Sequence, residues 1–350
     1  MSRTQQILWQ TLQQAGVVQG DMPAKNKDAS PWYIKVLLGV SGWLAALFLM
    51  GFIGLSLSDL WREFSTALVV GVLMIGIACV IFHSAKNEFT EHLALAISLA
   101  GQGLSIFALF GLIHNDSLVL LLIGLSQLLL VVLMPSYLHR IFSGFCAAVA
   151  FYIAMMSLGF PFVFGSVLLL VTVWVWLNEF HYPSYFSLMQ PVAYGLIFAL
   201  LIINGTNWFS SDLWDWRYDV SHSVVQPWMA EVLSGMVVLW MVAQLLRRHF
   251  HSLGEKISVA VFAGTLLLCL VSLEARGITV GMAVLLLGFA NSNRILMGLG
   301  VISLLAYLST YYYCLDTTLL QKSFSLLLIG VVLLVLRWVL VTFFPVQEGE

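Results

Sequence analysis

The sequence predicts an all-α, polytopic integral membrane protein with about twelve transmembrane helices and a short N-terminal amphipathic helix. Two observations predict this fold class. Hydrophobic residues make up 61% of the chain and charged residues only 9%, which is more apolar surface than the core of a soluble domain can enclose. Apolar runs of about 18 or more residues also recur along the chain, and each can cross a bilayer core of roughly 30 Å as a helix.

A polar segment, residues 1–30, precedes the first apolar run. In "TQQILWQTLQQAGVV" the apolar residues Ile7, Leu8, Leu12 and Ala15 recur at helical spacing on one side. This pattern predicts a short amphipathic helix that lies on the surface of the protein or the membrane. The stretch "GDMPAKNKDASP" that follows is a polar linker to the first span.

A single transmembrane domain is predicted over residues 31–345, and it contains twelve apolar runs. The tenth run has only 14 residues, which is short for a full crossing. If it re-enters or fuses with a neighbour, the number of transmembrane helices becomes eleven. The runs cover residues 36–57, 64–83, 92–113, 117–134, 140–158, 162–180, 189–205, 228–246, 257–274, 277–290, 294–314 and 321–343.

The distribution of Lys and Arg predicts a cytoplasmic N-terminus. With that orientation, ten of the fifteen Lys and Arg residues lie on the inner side and four on the outer side, which agrees with the positive-inside rule. The last one, Arg337, lies near the inner end of the final run. Twelve runs then place residues 1–30 and the tail 346–350 in the cytoplasm. The long loop 205–227 becomes periplasmic. Loops of this length often have a function, but its tryptophans favour a position at the membrane interface.

Several classes of function lack the residues that they would need. The net charge of −2 provides no basic surface for nucleic acid. The sequence contains no metalloprotease, hydrolase, phosphate-loop or kinase motif. Its four cysteines lie in or at the ends of apolar runs without metal-ligand spacing. We therefore expect no enzymatic activity, no metal and no cofactor.

Two glutamines occupy the centres of predicted spans, where ionisable side chains are scarce. Gln102 lies in "LAGQGLS" and Gln127 in "GLSQLLL". Amides form hydrogen bonds across helices, and Gly101 and Gly103 would allow a neighbouring helix to approach closely. The simpler interpretation is an interhelical amide clasp worth about 1 kcal/mol, and a substrate ligand is the alternative.

A further group of polar residues gathers at the outer face of the C-terminal part. The stretch "YYYCLDTTLLQKS" ends the eleventh run and begins the twelfth, and "LEARG" ends the ninth. One interpretation is structural: an aromatic belt, a helix cap and a snorkelling lysine. The other is an outer site that holds a polar head group or a loop of a partner. Its candidate residues are Glu274, Arg276, Tyr311, Tyr312, Asp316, Thr318 and Lys322.

Two stretches carry a resemblance to a known family: "PWYIKVLLGVSGWLAALFLMGFIGL" at residues 31–55, and "LLLGFANSNRILMGLGVISLLAYLSTYYYCLDTTLLQKSFSLLLIGVVLLVLRWVL" at residues 285–340. They resemble a family of bacterial multi-span inner-membrane proteins that is catalogued as domain of unknown function 4401. The resemblance implies an integral protein of a Gram-negative inner membrane. It also implies a complex with another multi-span membrane protein and a small protein that carries a GDYxxLxY-type motif. It implies no catalytic or binding residues.

These observations leave two functions open. The first is a non-enzymatic subunit of an envelope membrane complex, for which co-purification of a protein partner would be the sign. The second is a transporter or lipid-handling protein in which the polar outer site is one end of a path. A bound lipid or small molecule would be the sign of the second function.

Overall fold

The structure, a computed structural model, describes residues 63–85, 88–160, 163–179, 181–206, 227–249, 256–273 and 277–314, with isolated positions beyond them. Every regular element in these ranges is helical, as the sequence predicts. The predicted N-terminal amphipathic helix, the first and last predicted spans, most of the long loop and the C-terminal tail lie outside these ranges.

Within the described ranges the chain forms ten α-helices and one turn of 3-10 helix at Pro183–Tyr185. The α-helices are α1 Phe64–Ser84, α2 Glu88–Leu112, α3 Asp116–Leu133, α4 Tyr137–Ser157, α5 Val163–Leu177, α6 Phe186–Thr206, α7 Pro227–His249, α8 Lys256–Val271, α9 Ile278–Ala290 and α10 Arg294–Cys314.

Seven of these helices are long and apolar enough to cross a membrane, so the described part of the chain is that of a multi-pass membrane protein. They are α1 to α4, α6, α7 and α10. The other three, α5, α8 and α9, are apolar but have 15, 16 and 13 residues. Helix α9 corresponds to the short tenth predicted span, and at 1.5 Å per residue it extends about 20 Å.

Helix α5 ends three residues earlier than the predicted span 162–180. Asn178 begins a turn, and its side-chain amide donates to the carbonyl of Trp174 at 2.8 Å. The carbonyl of Leu177 accepts a hydrogen bond from Arg248 Nη2 at 2.7 Å, from the last turn of α7. The carbonyl groups at the end of α5 are thus satisfied by side chains, and the helix can stop there.

Short turns make neighbouring helices antiparallel, and polar side chains cap the helices that follow. Asn115 Oδ1 accepts from the backbone N–H of Leu118 at the start of α3, at 3.1 Å. Asn293 Oδ1 accepts from the N–H groups of Ile295 and Leu296 at the start of α10. The side-chain nitrogen of Asn293, Nδ2, donates to the hydroxyl of Tyr194, so this cap also ties α10 to α6.

The largest apolar core lies among α4, α5, α6, α7 and α9. Trp176, Ile197, Met241 and Leu287 are fully buried there. The Trp176 ring meets the Tyr194 ring edge-on, with centroids 5.1 Å apart. Shape-matched packing therefore holds the C-terminal part of the described bundle together.

The α1–α2 hairpin packs tightly within itself and touches α3 only lightly. Gly71 and Gly101 bring its two backbones together. A Cβ atom on Gly71 would lie 2.8 Å from the carbonyl oxygen of Gly101, and a Cβ atom on Gly101 would lie 2.7 Å from the carbonyl oxygen of Gly71. Glycine at both positions allows this approach. The hairpin is therefore a compact unit whose contact with the rest of the bundle runs along one side of α2.

Candidate polar site between helices α2, α3 and α4

Polar side chains lie along one face of α2, the face that meets α3 and α4. Glu91, Ser98 and Gln102 follow each other at intervals of seven and four residues, which places them on one side of a helix. Ser98 is fully buried, and Gln102 is 4% exposed. Gln102 is the fifteenth of the 25 residues of α2, so the polar face reaches the middle of the helix.

His139 lies opposite this face and is fully buried. It is the third residue of α4. Its Nε2 atom lies 2.8 Å from Ser98 Oγ and 3.1 Å from Gln102 Nε2, and its Nδ1 atom lies 3.2 Å from Ser143 Oγ, one turn further along α4. Phe82 of α1 presents its ring to the imidazole edge-on at 5.6 Å. The ring thus has polar partners on both nitrogens and an aromatic wall beside it.

Arg140 fixes the beginning of α4, on which His139 lies. Its Nε donates to the carbonyl of Val131 near the end of α3 at 3.2 Å, and its Nη1 donates to the carbonyl of Ser187 in α6 at 2.9 Å. The planar guanidinium therefore clamps three helices at one end of the bundle. This clamp fixes the start of α4, from which His139 reaches Ser98 and Gln102 of α2.

The two glutamines meet at the centre of the site. Gln127 Nε2 donates to Gln102 Oε1 at 2.9 Å, and Gln102 Nε2 donates to Ser98 Oγ at 3.0 Å. Gln127 is 2% exposed, and its Oε1 atom has no hydrogen-bond partner among the described residues. A buried amide oxygen without a donor costs free energy, so the pairing of the two amides is incomplete among the described residues.

The orientation of the Gln102 amide determines which tautomer of the His139 imidazole fits its hydrogen bonds. Gln102 Nε2 carries two protons, and Ser98 Oγ and His139 Nε2 are its two partners. With the Gln102 amide in this orientation and the ring neutral, His139 Nε2 accepts and the ring proton lies on Nδ1, where it donates to Ser143 Oγ. The described arrangement is that of a neutral imidazole at the end of a chain of amides and hydroxyls.

A separate polar pair lies nearer the helix ends. Ser136, in the turn before α4, donates from Oγ to Glu91 Oε1 at 2.7 Å. Leu95 occupies the same face of α2 between Glu91 and Ser98 and is 2% exposed. It belongs to a small apolar cluster with Phe82, Ala94, Leu130 and Met134. Apolar side chains thus separate this outlying pair from the buried site.

The predicted outer corner lies mostly outside the part of the chain that the structure describes. Glu274, Arg276, Asp316, Thr318 and Lys322 fall there, so the corner stays a prediction.

Two residues of that corner are described, Tyr311 and Tyr312. Both are partly buried near the end of α10, and the Tyr312 ring lies edge-on to that of Tyr313 at 5.8 Å. This contact suits an aromatic belt as well as a site.

Sequence reasoning missed three members of the buried site: His139, Ser98 and Ser143. The signal for Ser98 was present, since it shares a helical face with Gln102. His139 was harder to find, because it lies four residues after Pro135, where a histidine is expected in a loop or at the membrane surface. Its burial depends on helices that are distant in sequence.

A buried acid in α7 was also missed. Glu231 is 8% exposed and lies in the second turn of α7. Thr279 Oγ1, at the start of α9, donates to Glu231 Oε2 at 3.4 Å, and Thr279 shares a hydrogen bond with Ser272. This acid is near a helix end and not at mid-depth. Among the described residues no three His, Cys, Asp or Glu side chains group together as metal ligands.

Glu179 is a second buried acid, in the turn after α5, and it is 5% exposed. Burial raises the pKa of the Glu179 carboxyl group, and a hydrogen bond with the side chain of Gln190 offsets part of that rise. The neutral form of this carboxyl group is therefore favoured relative to a solvated one.

The helices and the buried polar site together define a multi-pass α-helical membrane protein with hydrogen-bonding side chains inside its bundle. The chain belongs to the family of domain of unknown function DUF4401, whose sequence pattern matches residues 31–342. This match confirms the resemblance noted in the sequence. No curated protein and no solved structure shows significant similarity to the chain.

Proposed function

We propose that this protein is a non-enzymatic transport protein of the bacterial inner membrane, and that the polar site between α2, α3 and α4 is part of its path. One observation carries the proposal: a fully buried histidine is hydrogen-bonded to buried amide and hydroxyl groups inside membrane helices. Ionisable side chains inside membrane spans are costly, and they mark the paths of ions and substrates in many membrane proteins.

The position of the site supports a moving part. The site lies where the compact α1–α2 hairpin meets α3 and α4, and the backbones of α2 and α3 approach each other at few points. The apolar clusters that cross this joint, around Leu95 and around Val119, are much smaller than the core around Trp176. Hydrogen bonds can exchange partners with water when two helices separate, whereas interlocked apolar side chains resist separation. We therefore place the opening of the path at this joint and not in the core around Trp176.

The competing interpretation is a static clasp. Interhelical hydrogen bonds between polar side chains stabilise membrane bundles by about 1 kcal/mol each, and a clasp needs no function. A clasp alone would favour fully paired amides, but Gln127 Oε1 has no partner in the described part of the chain. This unpaired oxygen favours a site that binds something over a clasp.

Access of water to the site tests the proposal without knowledge of the substrate. In a background whose four native cysteines are replaced with alanine, Ser98→Cys is compared with Ala108→Cys. Both positions are fully buried in α2, but Ala108 packs against Ala67 and Leu104 within the hairpin. We expect a water-soluble thiol reagent to label Ser98→Cys at least about tenfold faster than Ala108→Cys. The reason is that opening the joint costs less free energy than separating α1 from α2.

A membrane-permeant thiol reagent provides the control for intrinsic reactivity. The ratio of labelling by the water-soluble reagent to labelling by the permeant one isolates access from the chemistry of each thiol. Equal ratios at the two positions would show that the site never opens to water, and the static clasp would then be the better account.

A second function follows from what the resemblance at residues 31–55 and 285–340 implies. The resemblance implies partners, and we propose that the transporter works in an envelope complex with another multi-span membrane protein and a small protein with a GDYxxLxY motif. Extraction from native membranes with their lipids, followed by mass spectrometry, would reveal these partners in fixed proportion. Recovery of the chain with lipids alone would remove this part of the proposal.

A further inference from the structure

We propose that the ligand of the polar site is a proton, bound at Nε2 of His139, and that the amide groups of Gln102 and Gln127 reverse together when it binds. This inference rests on the proposed function, because it names the ion that moves along the path or that drives movement along it. It is drawn from the hydrogen-bond geometry of the site.

The packing of the site suits a proton better than a solute. His139, Ser98, Gln102 and Gln127 contact each other directly, at 2.8 to 3.1 Å. Each of these side chains is 4% exposed or less. A solute would need to separate these contacts, whereas a proton needs a lone pair and no volume. The Nε2 lone pair of the neutral imidazole provides that base.

Protonation of the ring creates a conflict that one amide can resolve. When the proton bonds to the Nε2 lone pair, this atom becomes a donor, and it then faces the donor group Gln102 Nε2 at 3.1 Å. A half-turn of the Gln102 amide exchanges its oxygen and nitrogen within nearly the same volume. Gln102 Oε1 then accepts a charge-assisted hydrogen bond from the imidazolium ring.

The reversal must pass on to Gln127. After the half-turn, Gln102 Nε2 occupies the place of its oxygen and faces Gln127 Nε2, which also donates. A second half-turn brings Gln127 Oε1 into this contact, so the oxygen that has no partner among the described residues in the neutral state gains one. The N–H2 group of Gln127 then occupies the position that Gln127 Oε1 held before the half-turn. One proton at His139 thus reverses the whole chain of hydrogen bonds without repacking.

The elements around the imidazole contribute few charges. Arg140 follows His139 in α4, but its guanidinium is held by carbonyl groups of α3 and α6. Glu91 and His92 lie two turns from Ser98 in α2, and His83 follows Phe82 in α1. The only charged residue of α3, Asp116, lies at the opposite end of that helix, and α6 has none. Ser98 Oγ, 2.8 Å from Nε2, and the Gln102 amide, at 3.1 Å, are therefore the two groups within hydrogen-bond reach that can accept from Nε2 of a charged ring.

Nitrogen NMR of histidine tests the proposal in reconstituted protein. The chain has eight histidines, and the His139 signal is the one lost in His139→Gln. We expect it to change from a neutral ring with the proton on Nδ1 to a doubly protonated ring as the pH is lowered. The side-chain amide signals of Gln102 and Gln127 should shift in the same step.

Two variants of Gln102 sharpen the test because they act in opposite directions. Gln102→Met removes the acceptor, and the ratio of charged to neutral His139 at a fixed pH should fall about tenfold. Gln102→Glu supplies an acceptor that cannot donate, and the ratio should rise. If Gln102→Met fails to fold, the rise in Gln102→Glu and the wild-type amide shifts still decide the question.

The outcomes separate this inference from the proposed function. If His139 stays neutral at the lowest pH at which the protein remains folded, or becomes charged while the amide signals do not move, the inference is overturned. If that happens while Ser98→Cys is still labelled from water, the path stands but carries another solute. If His139 is charged and Ser98→Cys is not labelled, the proton site stands and the proposed function fails.

Discussion

Replacing Gly195 with alanine is expected to destabilise the bundle more than any other glycine-to-alanine change at the joint of α4 and α6. A Cβ atom there would collide with the carbonyl oxygen of Ile141 and would lie 2.9 Å from the backbone nitrogen of Phe145. Both are backbone atoms, which cannot rotate away, so the helices must separate. We expect a loss of about 1–3 kcal/mol, measured as a lower thermal midpoint of the purified protein.

Gly76 provides the matched control for this prediction. It also lies inside a membrane helix, α1, but a Cβ atom there would meet nothing within 4 Å. Alanine is the better helix former by about 1 kcal/mol, so Gly76→Ala should leave the midpoint unchanged or raise it. Equal losses for the two variants would contradict the close contact of α4 with α6.

The two buried glutamines are expected to respond differently to replacement with leucine. Gln102→Leu removes the partner of Gln127, Ser98 and His139 at once, and each buried polar group left unpaired costs about 1–3 kcal/mol. Gln127→Leu frees only Gln102 Oε1, and it also removes an oxygen that already has no described partner. The loss of unfolding free energy should therefore be several-fold larger for Gln102→Leu.

The double variant checks this reasoning. With both glutamines replaced, no amide is left facing leucine, so the loss should be smaller than the sum of the two single losses. If Gln127→Leu proves as costly as Gln102→Leu, the assignment of donors and acceptors in the site is wrong.

Hydropathy was sufficient to predict most of the described helices, because length and apolar character are local properties. The second predicted span, 64–83, is helix Phe64–Ser84, and the fourth, 117–134, is helix Asp116–Leu133. The early end of α5 was not predictable in this way. It depends on Arg248, which is 71 residues away along the chain from Leu177.

The buried site was only half visible in the sequence. Gln102 and Gln127 are conspicuous because they interrupt long apolar runs, and the structure places their amides in contact. His139 is not conspicuous, because residues at the start of a helix usually face the membrane surface. Its burial arises from the clamp by Arg140 and from the position of Phe82, both of which depend on the tertiary arrangement.

The central claim, that water reaches this joint but not the main core, is tested most directly by exchange of side-chain amide protons in the unmodified protein. Asn204 is the internal reference: it is a carboxamide, 9% exposed, and its Nδ2 donates to the carbonyl of Leu200 within α6. After transfer of reconstituted protein into D2O, we predict that the amide protons of Gln102 and Gln127 exchange before those of Asn204. Glutamine amides that keep their protons as long as Asn204 would contradict the claim.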